Sequence, residues 1–311
     1  MSDFFRIDPR IDLLGVLEYF SIEDIGWKSL FSSSLSIKEN ALREACIDYF
    51  SSFANHPAIS FFRQLQQNGF FYDKPVRWML YHHQFPFLQP DPVIRHPEYD
   101  YWMVMVRDFL VQSNWKFFWD SIQSEEIIFL KEASISIDTF PTLDVLEWFF
   151  GERQSQYSVI FSFIKAGCFS VFEPNRTATA ILGAPCVKVN ASVHNVIHEL
   201  AHQFINTTID LYWNYFQPYI SGLNQILRPL HNSAYSNVRF MVYEYCVRAV
   251  ESVLSPSLSK TYLENKKKEG FIFLPQLKNL LENSYIANRS EFTNFSLFIP
   301  EIASFFGHCI L

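Results

Sequence analysis

The chain has 311 residues, 49% of them apolar, and a formal net charge of -7. That apolar share can bury a large core without metal or disulfide staples, which excludes a disordered chain and predicts a folded globular protein. The basic residues are scattered, and the one dense cluster, Lys266-Lys267-Lys268, reads as a solvated helix end rather than a groove for phosphates, so nucleic acid is not an expected partner.

At the start, Asp3, Arg6, Asp8, Arg10 and Asp12 interrupt any apolar run, so the chain as given shows no export signal. The expectation is cytoplasmic from the chain as given, or secreted or periplasmic if it is a processed form. Cys46, Cys168, Cys186, Cys246 and Cys309 have no short paired spacing, which excludes a zinc knuckle or a redox CxxC pair. Their odd number leaves one thiol unpaired and leans towards a reducing compartment.

Residues 8 to 152 read mainly as helices, with apolar spacing such as Leu13, Val16, Leu17 and Phe20. Prolines crowd residues 84 to 98 and predict an extended connection there. Near Tyr157 the texture changes. Tyr157 to Ile164 and Cys168 to Phe172 are rich in β-branched and aromatic residues and flank Lys165-Ala166-Gly167, which predicts a hairpin. Thr177 to Leu182 and Pro185 to Val189 extend the pattern into a small antiparallel sheet. The most apolar stretch, Val159 to Phe172, is broken by Lys165 and too short for a bilayer, so no membrane insertion is expected. Helices return at 193–206, 207–219, 236–254, 258–269, 274–284 and 297–306. The expected class is α+β: mainly helical, with a small antiparallel sheet preceding the helix at 193–206. A helical portion, 1–152, packs with a catalytic portion, 153–311, in one compact unit.

His198-Glu199-Leu200-Ala201-His202 carries the chemistry. Residues four apart project from one face of a helix, so His198 and His202 can direct two imidazoles at a single Zn2+ ion with Glu199 beside it. Val193, Val196, Ile197, Leu200, Ala201, Phe204 and Ile205 supply the apolar sides of that helix. No histidine follows at the HExxHxxGxxH spacing, so a third ligand must come from elsewhere. The long pattern Val238 to Leu254 offers Glu244, with Glu251 two turns further along almost the same face as the competitor. Either acid can instead pair with Arg248, which stands at i+4 from Glu244. His56, His82, His83, His96, His194 and His308 lack such spacing, and Cys246 reads as core.

The chain resembles bacterial metallopeptidase-like proteins grouped as domain of unknown function 4932, which carry gluzincin-like motifs. The resembling residues are Ile7-Asp8-Pro9-Arg10-Ile11-Asp12-Leu13-Leu14, His56-Pro57-Ala58, His198 to His202 with Phe204 and Asn206, and Glu244 to Ala249. The resemblance implies that His198, His202 and Glu244 bind one zinc ion and that Glu199 is the catalytic base. It brings no substrate. The chain departs from the pattern at Leu200-Ala201-His202-Gln203, where phenylalanine and serine commonly flank the second histidine.

The expected function is zinc-dependent hydrolysis of a peptide or protein substrate, with Glu199 as general base. A second electrophile for the developing oxyanion is sought among His231, Tyr235, Tyr245 and Arg248. His231 and Tyr235 are preferred, because their polar segment leads into the Glu244 helix. Asn206 continues the histidine face and can bond a group behind the ligands. The alternatives are an inert zinc-containing binding module and a zinc hydrolase acting on another amide or ester.

Overall fold

The computed structural model describes residues 4–22, 37–82, 88–89, 95–138, 142–184, 192–226, 237–255 and 260–309. They group into two compact units, Met1–Phe140 with Gln154–Asn195, and Pro141–Arg153 with Val196–Leu311. Both units therefore take residues from either side of the 152/153 division.

In the first unit, strand β1 (Phe5–Ile7) leads into helix α1 (Pro9–Ser21), followed by α2 (Ile37–Phe50), α3 (Pro57–Gln67), α4 (Asp73–Leu80), α5 (Pro97–Gln112) and α6 (Trp115–Asp138). Pro9 opens α1 at a position that needs no N–H donor, and the Asp8 side chain accepts from the Arg10 N–H. Arg10 to Leu17 are all buried, so α1 runs through the interior. Gly15 is required there: a Cβ would stand 2.5 Å from the Lys165 backbone nitrogen. His56 caps α3 through Nδ1, which accepts from the Ala58 N–H at 3.1 Å. The His56-Pro57-Ala58 element is thus a helix start.

Aromatic packing fills this core, as where Phe62 stacks on Trp102 at 4.8 Å between centroids. The extended segment predicted at 84–98 lies largely outside the described residues, and Pro97 already begins α5.

The α+β class holds, but the sheet is mixed rather than antiparallel. Strands β2 (Gln156–Ala166), β3 (Cys168–Phe172) and β4 (Thr177–Ala184) join β1 in the order β1-β2-β4-β3. Strand β2 runs parallel to both β1 and β4, and only β3 and β4 pair antiparallel. The predicted β2/β3 hairpin does not form, because the register of β2 on β4 shifts between Ser162 and Ala166 and the chain then crosses the end of β4. Gly167, at φ +82, turns the chain there. Gly183 lets it pass, since a Cβ on Gly183 would meet the Lys165 carbonyl oxygen at 2.2 Å. Pro185 to Val189 lie outside the described residues. Cys168 is disulfide-bonded, while Cys46, Cys246 and Cys309 are free, so the cysteines give no lean towards a reducing compartment.

The second unit holds α7 (Thr142–Phe150), most of α8 (Ser192–Leu211), α9 (Ile220–Ile226), α10 (Val238–Leu254), α11 (Lys260–Lys268), α12 (Leu274–Leu280) and α13 (Ile299–His308). The break predicted at 206/207 is absent. Thr207 Oγ1 donates back to the Gln203 carbonyl oxygen at 3.2 Å, and the helix continues to Leu211. Helix α12 passes directly into a π-helical turn, Leu281–Ile286. From that turn Tyr285 donates to the Phe149 carbonyl oxygen. Phe150 lies flat on Phe204 of α8, with centroids 4.4 Å apart and planes 4° from parallel, which fixes α8 against α7.

Among the described residues, no helix is long and apolar enough to cross a membrane.

Candidate metal centre

Helix α8 buries Val196, Ile197, Leu200, Ala201, Phe204 and Ile205 completely, which turns His198, His202 and Asn206 to its other side. Helix α10 is set by Asn237, whose side chain accepts from the Arg239 N–H, and it buries Met241, Val242, Tyr245, Cys246, Ala249 and Val250. Its remaining polar face carries Glu244, Arg248 and Glu251. Early residues of α8 meet late residues of α10: His198 meets Glu251, and Asp210 meets Tyr243 and Arg239. The two helices therefore run in opposite directions, with a seam of ionisable side chains between them.

His198, His202 and Glu244 each place one donor atom within 4.8 Å of the others. His202 Nε2 is 3.3 Å from Glu244 Oε1, and His198 Nε2 is 3.9 Å from Glu244 Oε2. Donors on one tetrahedral zinc stand about 3.3 Å apart when its bonds are about 2.0–2.1 Å, so the spacing suits that ion. Both rings are also held at the opposite nitrogen. His198 Nδ1 is 3.0 Å from Glu251 Oε2, and His202 Nδ1 is 3.2 Å from Asn206 Oδ1. Each Nδ1 is thereby assigned the proton and each Nε2 is left as the donor towards Glu244.

Glu244 Oε2 is buried without a hydrogen bond, although Arg248 Nη2 forms an ion pair with it at 3.1 Å. Arg248 thus already compensates the charge at Oε2, while Oε1 faces His202 Nε2. The side chains of His198 and His202 keep 12% of their surface exposed and Glu244 14%, so the trio is shielded but not wholly closed off from solvent.

Electrostatics favour a charged site. Burial alone would raise the Glu244 pKa, but Arg248, the His202 hydrogen bond and both imidazoles hold it well below the usual carboxylate range. Burial disfavours the His202 cation, yet Glu244, Glu199 and Asn206 together push its pKa up to about 9. Glu199 is 6% exposed. Burial raises its pKa against the opposing pull of His198 and His202, which places a basic carboxyl beside the trio.

Of the oxyanion candidates, His231 and Tyr235 lie outside the described residues. Tyr245 turns away: its hydroxyl donates to the Gly270 carbonyl oxygen at 3.2 Å and its ring packs on Phe271 and Phe306. Arg248 is engaged with Glu244, and its guanidinium lies 4.8 Å from the centre of the Phe271 ring. Glu244 faces both Nε2 atoms, whereas Glu251 faces the far side of His198. Tyr262, absent from the sequence reading, donates to Glu251 Oε2 at 2.8 Å. No local pattern marks it, because α11 is brought to α10 by the tertiary fold. His82, its Nδ1 2.8 Å from the Trp78 carbonyl oxygen, has a structural role.

Further along the same two helices, a cavity of about 600 Å³ is lined by Asp210, Trp213, Arg239, Phe240 and Tyr243 among others. Its volume is in the range of small-molecule and side-chain pockets.

A family model described as domain of unknown function (DUF4932) matches residues 87–305. The match takes in α8 and α10 and leaves out Ile7 to Leu14 and His56-Pro57-Ala58. No curated protein and no solved structure matches the chain.

Proposed function

The chain belongs to the family described as domain of unknown function (DUF4932), and we propose that it is a zinc-dependent metallopeptidase of gluzincin-like type. The convergence of His198, His202 and Glu244, with both histidines fixed from behind, carries the proposal. A bound zinc would supply Lewis acidity and bring a water molecule's pKa towards neutrality.

The protein's own groups complete the chemistry. Glu199 accepts the proton of the attacking water on its carboxylate and passes it to the amine nitrogen of the leaving half, so no net proton is consumed. A raised pKa suits both halves of that shuttle. Arg248 keeps Glu244 ionised and occupies its Oε2 side. Asn206 and Glu251 hold the two rings in one tautomer. The cavity beyond Asp210 is about 12 Å from His202 along α8, eight residues at 1.5 Å each, a span suited to a side chain a few residues from the scissile bond. A peptide is preferred to another amide or ester because of the gluzincin-like motif.

The test is zinc content together with cleavage of a peptide library by wild type and Glu199→Gln. Near-stoichiometric zinc in both is expected, with kcat/KM lower in the variant by about 10²–10⁴-fold. Zinc absent from the wild type would defeat the metal site. Zinc in both with no cleavage would leave an inert binding module, and cleavage of esters or non-peptide amides alone would leave a different hydrolase.

A further inference from the structure

We infer that Glu251 and Tyr262 form a positioning relay behind His198, which sets that ring as a metal donor and ties helix α11 to the metal centre. The inference rests on the metal-site reading above, though not on peptide hydrolysis.

One oxygen does the joining. Glu251 Oε2 lies 3.0 Å from His198 Nδ1 and also accepts from the Tyr262 hydroxyl at 2.8 Å. Two donors on one carboxylate oxygen fix its direction and use its lone pairs, so that oxygen is not available as a ligand. Glu251 is 5% exposed, and a carboxylate so deeply buried is retained only where partners compensate its charge. Here the partners are an imidazole N–H, the nearby Arg248 cation and a phenol.

The consequence for His198 is specific. A carboxylate at Nδ1 fixes the proton on that nitrogen and makes Nε2 more basic than a neutral acceptor would. His202 has only the amide oxygen of Asn206, at 3.2 Å, in the equivalent place. The two imidazoles are therefore inequivalent, with His198 the more strongly polarised donor.

Tyr262 extends the relay beyond α10. It stands on α11, after residues 256–259, which lie outside the described residues. Helix α11 also packs on α12. Lys266 Nζ lies 5.7 Å from the Tyr262 ring centre. The geometry of the metal donor thus depends on the docking of a helix that supplies no ligand.

The experiment measures zinc dissociation constants by chelator competition for the full-length wild type, Glu251→Ala, Glu251→Gln and Tyr262→Phe, with thermal melts of the metal-free proteins as the folding control. Visible spectra of the cobalt-loaded forms are recorded alongside. Glu251→Ala should weaken zinc binding by about 10–100-fold, the effect typical of losing a partner behind a ligand. Glu251→Gln should recover only part of that loss, because its amide oxygen still accepts from Nδ1 but lacks the carboxylate's charge, and Tyr262→Phe should weaken binding by only a few-fold. At saturating metal, the cobalt band of Glu251→Ala should keep its wild-type intensity and position.

An affinity in Glu251→Ala within about twofold of wild type, or no rescue by glutamine in proteins of equal melting temperature, overturns the relay. A changed cobalt band overturns it in a different way, by making Glu251 a ligand. Failure of the wild type itself to bind zinc removes the metal site and the relay together, whereas zinc binding without peptide cleavage leaves the relay standing.

Discussion

Two sets of buried acids, one in each compact unit, have opposite electrostatic fates. In the first unit Asp12 on α1 and Glu126 on α6 are both 0% exposed. Asp12 acts on Glu126 as a like charge and is hydrogen-bonded to it, and the Ser162 hydroxyl also donates to Asp12. Burial, with the like charge of Asp8 added, pushes Asp12 up to about 8, and burial with the charge of Asp12 pushes Glu126 well above its ordinary value. In the second unit Glu244 and Glu251 are nearly as buried, yet both stay below the usual range because Arg248 and the imidazoles surround them. Depth alone would raise all four. The sign is set by neighbours: the first pair stores a proton, and the second set holds negative charge ready for a cation.

Substitutions can break this contrast. The largest effect is expected from Glu244→Ala, which removes the proposed third ligand and should weaken zinc binding by more than the ~100-fold upper figure for outer partners; chelator competition measures it. Retention of full affinity would transfer the third-ligand role elsewhere. Next comes Arg248→Met, which leaves Glu244 with less cationic support. The metal-free protein should lose about 1–3 kcal/mol in urea unfolding at neutral pH. Added zinc should narrow that deficit, since the ion supplies the missing positive charge.

The smallest effect, though the sharpest in form, concerns Asp12. Its folded pKa of about 8 exceeds its ordinary value of 3.8, so the folded state holds the proton more tightly than the unfolded chain. The resulting stability is fully present below about pH 4 and is lost as pH rises through about 8. Asp12→Asn keeps an oxygen for the Ser162 hydroxyl and removes the titration. Above pH 8 the variant should be more stable than wild type by roughly 1 kcal/mol or more, as judged by urea midpoints across pH. An unchanged pH slope would contradict the account of that pair.

The legible parts of the molecule are those with local periodicity. His198 and His202 share a face because they are four apart on one helix, and the apolar positions around them already define that helix in the sequence. Glu244 and Glu251 both lie on the polar side of α10, but one-dimensional spacing cannot say which faces Nε2 and which faces Nδ1. That choice depends on the opposed directions of α8 and α10. Tyr262 carries no pattern at all, since only tertiary packing brings it to Glu251. The sheet shows the same limit: β2, β3 and β4 are visible as apolar runs, whereas their pairing depends on Gly183 allowing the chain across the end of β4. Strand β1, with three residues, is too short to announce itself, and it exists because β2 offers it a parallel edge.

His198, His202 and Glu244 are proposed to hold one zinc ion, and zinc-edge anomalous scattering from crystals of the zinc-loaded full-length chain locates that ion without reference to activity. The predicted result is a single peak per chain, within bonding distance of Nε2 of both histidines and of a Glu244 oxygen, with Glu251 still on His198 Nδ1. No peak at the trio, or a peak ligated by Glu251 in place of Glu244, would contradict it.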